Sequence, residues 1–251
     1  MPELAPGVFD TPGLPWLAAT FLIAGLVRGF AGFGTALVFM PIGALFLPIP
    51  LAIALVTVAG MIAWPLILPR GLARADRAEV LTLGAAAIVT APVGLWLLTW
   101  ADRETLRWAV SIAAGLTLAA LLSGWRYQGR VRGPGLAGVG GLAGVLGGTT
   151  GLTGPPVILF YLASTRAAEV VRANTIVFLA LLDLGIIAVM ILRGLVGWEI
   201  LPLALLLSVP YGLGIVLGQR WFHPDREKLY RSLAYSVIAG AILTGLPLFD
   251  R

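Results

Sequence analysis

Gly25-Leu-Val-Arg-Gly29-Phe-Ala-Gly32-Phe-Gly34-Thr35 and Gly144-Val-Leu-Gly147-Gly148-Thr149-Thr150-Gly151-Leu-Thr153-Gly154-Pro155-Pro156 interrupt a chain that is otherwise very apolar. A shift of 119 residues carries Gly25, Gly29 and Gly32 onto Gly144, Gly148 and Gly151. Glycine-rich backbone at membrane depth cannot face lipid, because its free N–H and C=O groups would have no partner there. It persists only when buried in protein or lining a wet cavity. The two breaks therefore decide the fold: segments on either side must fold back to shelter them.

Composition makes the membrane reading necessary. Of 251 residues, 59% are hydrophobic and 12% charged, with mean hydropathy +0.97. Soluble domains carry about 25% charged residues. The net charge of +5 comes from 16 arginines and one lysine against 12 acids. These arginines lie between apolar runs, as loop charges do under the positive-inside rule, and not in a basic patch with interleaved aromatics. Nucleic acid is accordingly not an expected partner. The chain has no cysteine, which excludes disulfides, thiolate metal sites and cysteine nucleophiles. Met1-Pro-Glu-Leu-Ala-Pro6 lacks a basic n-region and does not read as a cleavable signal peptide.

Ten apolar runs are legible: Leu14–Val27, Thr35–Leu47, Leu51–Leu68, Val80–Trp100, Leu106–Trp125, Pro134–Gly147, Pro155–Ser164, Thr175–Leu192, Ile200–Gln219 and Ser232–Phe249. Six are long enough to span, since crossing takes roughly 17–25 helical residues. The other four flank the breaks; Leu14–Val27 would be only about 21 Å long as a helix. The expectation is two broken or re-entrant hairpins. With the N-terminus outside, 13 of the 17 basic residues fall inside, which predicts both termini outside. Tryptophans 16, 64, 100, 108, 125, 198 and 221 lie mostly near segment ends, as an interfacial belt would.

The halves repeat beyond their glycines. Asp102-Arg-Glu-Thr-Leu106 and Asp225-Arg-Glu-Lys-Leu229 each precede a last segment, and Pro92-Val-Gly94 parallels Pro210-Tyr-Gly212. Five segments per half force the second half to enter from the opposite side. The predicted fold is an all-α polytopic membrane protein, a single transmembrane domain over 1–251. It is an inverted-topology repeat of about 14–125 and about 134–249, joined by a loop at 126–133. Paired breaks in such a repeat point to a transporter's binding site.

Helix N-termini leave about four N–H groups without partners and carry partial positive charge, so an anion suits them. Helices beginning near Thr35 and Pro155 would aim two such ends at the centre. The hydroxyls of Thr149, Thr150 and Thr153 could donate to an oxyanion. The candidate substrate-binding residues are Gly32, Gly34, Thr35, Gly148, Thr149, Thr150, Gly151, Thr153, Gly154, Pro155 and Asn174. Competing readings stand beside this one. The Gly25-x-x-x-Gly29 and Gly144-x-x-x-Gly148 portions read as helix-packing seams, and Asn174 reads also as an N-cap of the span from Thr175. Asp183 is the one acid inside a clear span. It is either a coupling site for H⁺ or Na⁺ or a buried Asp bonded to a neighbouring helix. Arg28 reads as snorkelling to the cytoplasmic surface, with capture of an anion at the mouth of the path as the alternative.

Enzyme classes find little support. The single histidine, His223, lies in a polar loop and cannot make a metal site or a serine–histidine pair at membrane depth. An aspartyl protease needs two intramembrane aspartates, and only Asp183 qualifies. No cofactor is implied. The expected partners are a small anionic substrate, the lipid bilayer and a coupling ion.

The spacing Gly-x-x-x-Gly-x-x-Gly, followed by a small-residue/proline step once per half, resembles the TauE/SafE family of membrane permeases. The residues that carry it are Gly144, Gly148, Gly151, Gly154, Pro155 and Pro156, with Tyr161-Leu162 beyond, and in the first half Gly25, Gly29, Gly32, Gly34 and Pro41. The resemblance covers nearly the whole chain, although Gly32-Phe33-Gly34-Thr35 departs from the usual Gly-Gly-Gly form. It implies an inner-membrane transporter of sulfite or sulfonates such as sulfoacetate, with binding residues around the two breaks. A carrier for a non-sulfur organic anion, an anion channel and, last, an intramembrane enzyme are the alternatives.

Overall fold

The computed structural model describes residues 7–123, 133–162, 167–221 and 227–248. The loop at 126–132, His223 and most of the second Asp-Arg-Glu motif lie outside the described residues. Eleven α-helices make up the described chain, with two short 3-10 turns and no strand among those residues. The first half holds α1 (Leu14–Ala31), α2 (Thr35–Phe46), α3 (Ile49–Ile62), α4 (Trp64–Arg74), α5 (Arg77–Trp100) and α6 (Arg103–Leu122). The second holds α7 (Pro134–Thr150), α8 (Pro155–Leu162), α9 (Ala168–Leu192), α10 (Leu201–Trp221) and α11 (Glu227–Gly245).

By length and apolar character five described helices can cross a membrane: α1, α5, α6, α9 and α10 with its preceding turn. The α3–α4 pair makes a sixth if it is counted as one span, bent by 71°. Three sequence boundaries are thereby corrected. The run Leu14–Val27 extends to Ala31, because Arg28 is buried in the helix and does not end it. The run Leu51–Leu68 is broken at Ala63, since Pro65 has no N–H to give to the Met61 carbonyl and its ring crowds that turn. The last run, Ser232–Phe249, belongs to a helix whose first turns carry Glu227, Lys228 and Arg231, and α11 is not among the five. Large apolar side chains stand on the outward faces: Leu81, Val89, Leu116, Leu192, Val209 and Leu243 are all exposed. That pattern suits a lipid surround.

Glycine turns join the first two helices of each half. Gly32 and Gly34 end α1 and begin α2 at φ 81° and 104°, and Gly151 ends α7 at φ 75°. Each of these opening helices then packs against a helix of the other half, α1 along α10 and α7 along α5. Glycine against carbonyl makes both seams. A Cβ on Gly29 would stand 2.6 Å from the Ile215 carbonyl, and one on Gly148 would stand 2.6 Å from that of Ala91. Gly25 and Gly144 approach the carbonyls of Tyr211 and Ala87 more closely still. The GxxxG portions are therefore packing seams, with backbones brought together where no side chain could fit. Threonines bond across one seam: Thr90 donates to the Gly141 carbonyl at 2.7 Å.

Polar side chains close the helix ends. Asp76 and Asp102 accept N–H bonds from Glu79 (3.2 Å) and Thr105 (2.7 Å) as N-caps of α5 and α6. The Thr105 hydroxyl and N–H hold the Asp102 carboxyl below its usual range, so this cap is complete at neutral pH and is lost as pH falls through that lowered value. Arg103 donates to the Ala44 and Leu45 carbonyls (3.1 and 3.0 Å) at the end of α2, and Arg107 to that of Gly245 (3.3 Å) at the end of α11.

Gly115 and Gly240 have open space where a Cβ would stand. Gly115→Ala and Gly240→Ala should leave thermal stability unchanged or raise it by up to about 1 kcal/mol through helix propensity. Gly144→Ala and Gly214→Ala should lower it by about 1–3 kcal/mol through overpacking. Melting curves of the four variants in detergent check the contrast; equal behaviour would contradict the seam.

Candidate functional site

The two breaks meet. A cavity of about 40 Å³ lies between them, lined by Gly34, Thr35, Ala36 and Leu37 from the start of α2 and by Gly151, Thr153, Gly154 and Pro155 around the start of α8. Arg28 of α1, Thr57 of α3 and Asp183 of α9 complete its polar lining. A water needs roughly 10–15 Å³ of such space, so the cavity holds a few waters or one small ion.

The helix ends present donors unequally. The first intrahelical bond at the start of α2 is Val38 N–H to the Gly34 carbonyl, 3.1 Å, which leaves the N–H groups of Thr35, Ala36 and Leu37 outside the ladder. In α8 the first bond is Ile158 N–H to the Gly154 carbonyl, 2.9 Å. Pro155 and Pro156 carry no N–H, so Val157 alone offers one from that helix's first turn.

Arg28 is 8% exposed, and its Nη1 reaches the Thr35 hydroxyl at 3.4 Å. That hydroxyl also bonds the phenolic oxygen of fully buried Tyr211, at 2.8 Å. The Arg28 Nε is buried without a hydrogen-bond partner. Asp183 lines the same cavity but lies beyond 4 Å from the guanidinium, so the two charges form no ion pair. The snorkelling reading of Arg28 is thus overturned. Its helix continues past it, and its side chain is buried beside Thr35 of α2, which bonds Tyr211 of α10. The hydroxyls of Thr57 and Thr153 make no hydrogen bond to a described residue and face the cavity.

Other candidates are spent elsewhere. Thr149 donates across the α5–α7 seam to the Gly94 carbonyl (3.2 Å) and back to the Val145 carbonyl of its own helix (2.8 Å), and Gly148 packs in that seam. Thr150 donates to the Leu146 carbonyl (2.7 Å) and accepts from Leu152 N–H (3.2 Å), closing the end of α7. Gly32 lies under Arg172: a Cβ there would stand 3.2 Å from that side chain.

Asn174 is not a cap, because α9 begins at Ala168 and carries it inside the helix. Its amide accepts from Asp76 N–H at 2.7 Å and donates to Glu79 at 2.8 Å, and Tyr161 of α8 donates to the same Glu79 oxygen at 2.8 Å. Glu79 thereby ties α5, α8 and α9 together. Glu79, Thr57 and Tyr211 are not among the residues that the sequence marks as candidates. Tyr211 sits inside the repeated Pro-x-Gly step, and that position is its only signal.

Asn174→Ala should cost about 1–3 kcal/mol, because it removes the side-chain acceptor of the Asp76 N–H and one of the donors to the Glu79 carboxylate. Thermal unfolding in detergent measures this, and a change below about 0.5 kcal/mol, the scale of a surface substitution, would contradict the network's structural role.

Comparison with known proteins adds one match: the family model described as Sulfite exporter TauE/SafE covers residues 17–244, nearly the whole chain. No curated protein and no solved structure matches it.

Proposed function

The chain belongs to the TauE/SafE sulfite exporter family, which makes it a multi-pass membrane transporter, and we propose that it carries a small sulfur oxyanion such as sulfite through the cavity between its two breaks. One observation carries this reading: Arg28 is a buried guanidinium with an unpartnered Nε, beside the free N–H groups of α2. A buried cation whose donors are not all satisfied is costly, and Asp183, which faces it across the cavity, makes no ion pair with it. An oxyanion there would receive donors from Arg28, from Thr35–Leu37, from Val157 and from the hydroxyls of Thr57 and Thr153. Preorganised N–H groups and arginine match the several acceptor oxygens of such an ion.

Alternating access fits the same frame. Helices α1 and α7, equivalent in the proposed inverted repeat, each pack on the other half, which supports two related units rocking about a shared centre. The arginine bias supports both termini outside in a cell membrane. Asp183 is the coupling residue in this reading, since its carboxylate reaches the cavity without an ion-pair partner. A bound H⁺ or Na⁺ would neutralise it beside the anion.

A ligand panel of sulfite, thiosulfate, sulfoacetate, taurine, lactate and phosphate tests the substrate class by thermal stabilisation of the purified protein. A ligand at about 100 times its dissociation constant adds roughly 2.7 kcal/mol. Sulfite should stabilise most. Arg28→Gln should weaken that binding by roughly tenfold or more, the equivalent of losing about 1.5–3 kcal/mol of charge-assisted hydrogen bond. Thr153→Val should weaken it less, and Thr150→Val should act on stability alone. Stabilisation by sulfite that survives Arg28→Gln unchanged would sink the proposed site.

Asp183→Asn should abolish the dependence of proteoliposome sulfite flux on an imposed H⁺ or Na⁺ gradient while leaving sulfite exchange measurable. A gradient dependence that persists in this variant would remove Asp183 from the coupling role.

A further inference from the structure

We infer that the protein has a second oxyanion site, outside the central one, in a basic cavity between α4, α9 and the ends of α1 and α10. This cavity is larger, about 310 Å³, and shares no lining residue with the first. Arg70, Arg74, Glu169 and Arg172 line it, with Gly29 and Gln219 at its inner side. Its single carboxylate is taken, since Glu169 pairs with Arg74 at 2.7 Å. Arg70 and Arg172 therefore face one cavity with no described anion between them, and Arg70 makes no hydrogen bond to a described residue. Two like charges on a shared cavity repel until an anion joins them.

Arg172 marks the boundary between the two cavities. It donates to the Gly29 carbonyl at 3.0 Å, one residue from Arg28, and covers Gly32 at the turn into α2. The repeat offset of 119 residues places Ile53 at the equivalent position of the first half, and Met40 and Ile53 together cover Gly151, with atoms 2.9 and 3.1 Å from where a Cβ would stand. An apolar side chain is thus sufficient to pack on a glycine turn of this kind. The arginine in the second half brings charge that packing does not require.

The ligand class is an oxyanion able to bridge two guanidinium groups, either the transported ion or the phosphate of an anionic lipid. The inference rests on the proposed function only for the choice of sulfite as probe. Its site, its residues and its test stand apart from Arg28. A bound ion here would sit one residue along α1 from the central arginine, a staging position on the side that the arginine bias assigns to the cytoplasm.

Equilibrium dialysis of radiolabelled sulfite against the full chain in zwitterionic nanodiscs tests this, with the stoichiometry as readout. The wild type should bind two equivalents, Arg70→Gln one and Arg28→Gln one, and Arg70→Lys should restore the second. Arg70 is exposed, so its variants should fold as the wild type does. If the second equivalent is present in phosphatidylcholine discs and absent in phosphatidylglycerol discs, the site stands and the lipid headgroup is its occupant. If the wild type binds one equivalent in phosphatidylcholine discs and Arg70→Gln leaves it unchanged, the outer site is overturned and the central one stands. If Arg28→Gln keeps both equivalents and Arg70→Gln loses one, the outer site stands and the central assignment falls. Absence of any binding to the wild type would overturn both.

Discussion

Backbone pressed against backbone along two glycine seams is the contact on which the rest of this molecule depends. Water drives no association within a bilayer, so helices there hold together by close packing and by the polar bonds that packing allows. Gly25 and Gly29 let α1 lie directly on α10, while Gly140, Gly144 and Gly148 do the same for α7 on α5. With the opening helix of each half anchored to the other half, the glycine turns at Gly32–Gly34 and Gly151–Gly154 are brought face to face. Their irregular backbone is sheltered there, as the absence of solvent in a bilayer requires.

That shelter sets the electrostatics of the centre. Arg28, Thr35 and Tyr211 form a chain of polar groups from α1 through α2 to α10, buried among Phe21, Phe39 and other apolar side chains. The guanidinium is held in place by a hydroxyl and not by a carboxylate. Its charge acts on the Asp183 carboxylate across the cavity without an ion pair, and its Nε is left without a hydrogen-bond partner. Glu79, by contrast, is consumed by structure: two side chains converge on one of its oxygens and tie three helices together. Burial alone does not separate the two roles; the count of partners does.

Much of the architecture was legible because its causes are local. Glycine spacing, apolar run length and the Asp102 cap are all readable in one dimension, and the two breaks, singled out by their glycines, line one cavity. What escaped depended on where a side chain turns. Thr149 and Thr150 sit in the same polar run as Thr153, yet helical rotation sends the first into the α5 seam and the second back onto α7. Only the residue past the glycine faces the cavity. Arg28 was misread because an arginine near a helix end ordinarily reaches for water, and nothing in its neighbours announces that α2 and α10 enclose it. Pro65 was overlooked inside an apolar run although its missing N–H is what bends α3 against α4.

The double proline at the start of α8 has a further consequence. By deleting two N–H groups it leaves that helix one donor in its first turn, where α2 keeps three. An anion seated between the breaks, as proposed, would find most of its donors on the first half, where α2 stands beside Arg28 and Thr57, and on the second only Val157 and Thr153 beside the like charge of Asp183. Because α1 lies locked on α10 and α7 on α5, this one-sided grip belongs to a site that the two halves build together.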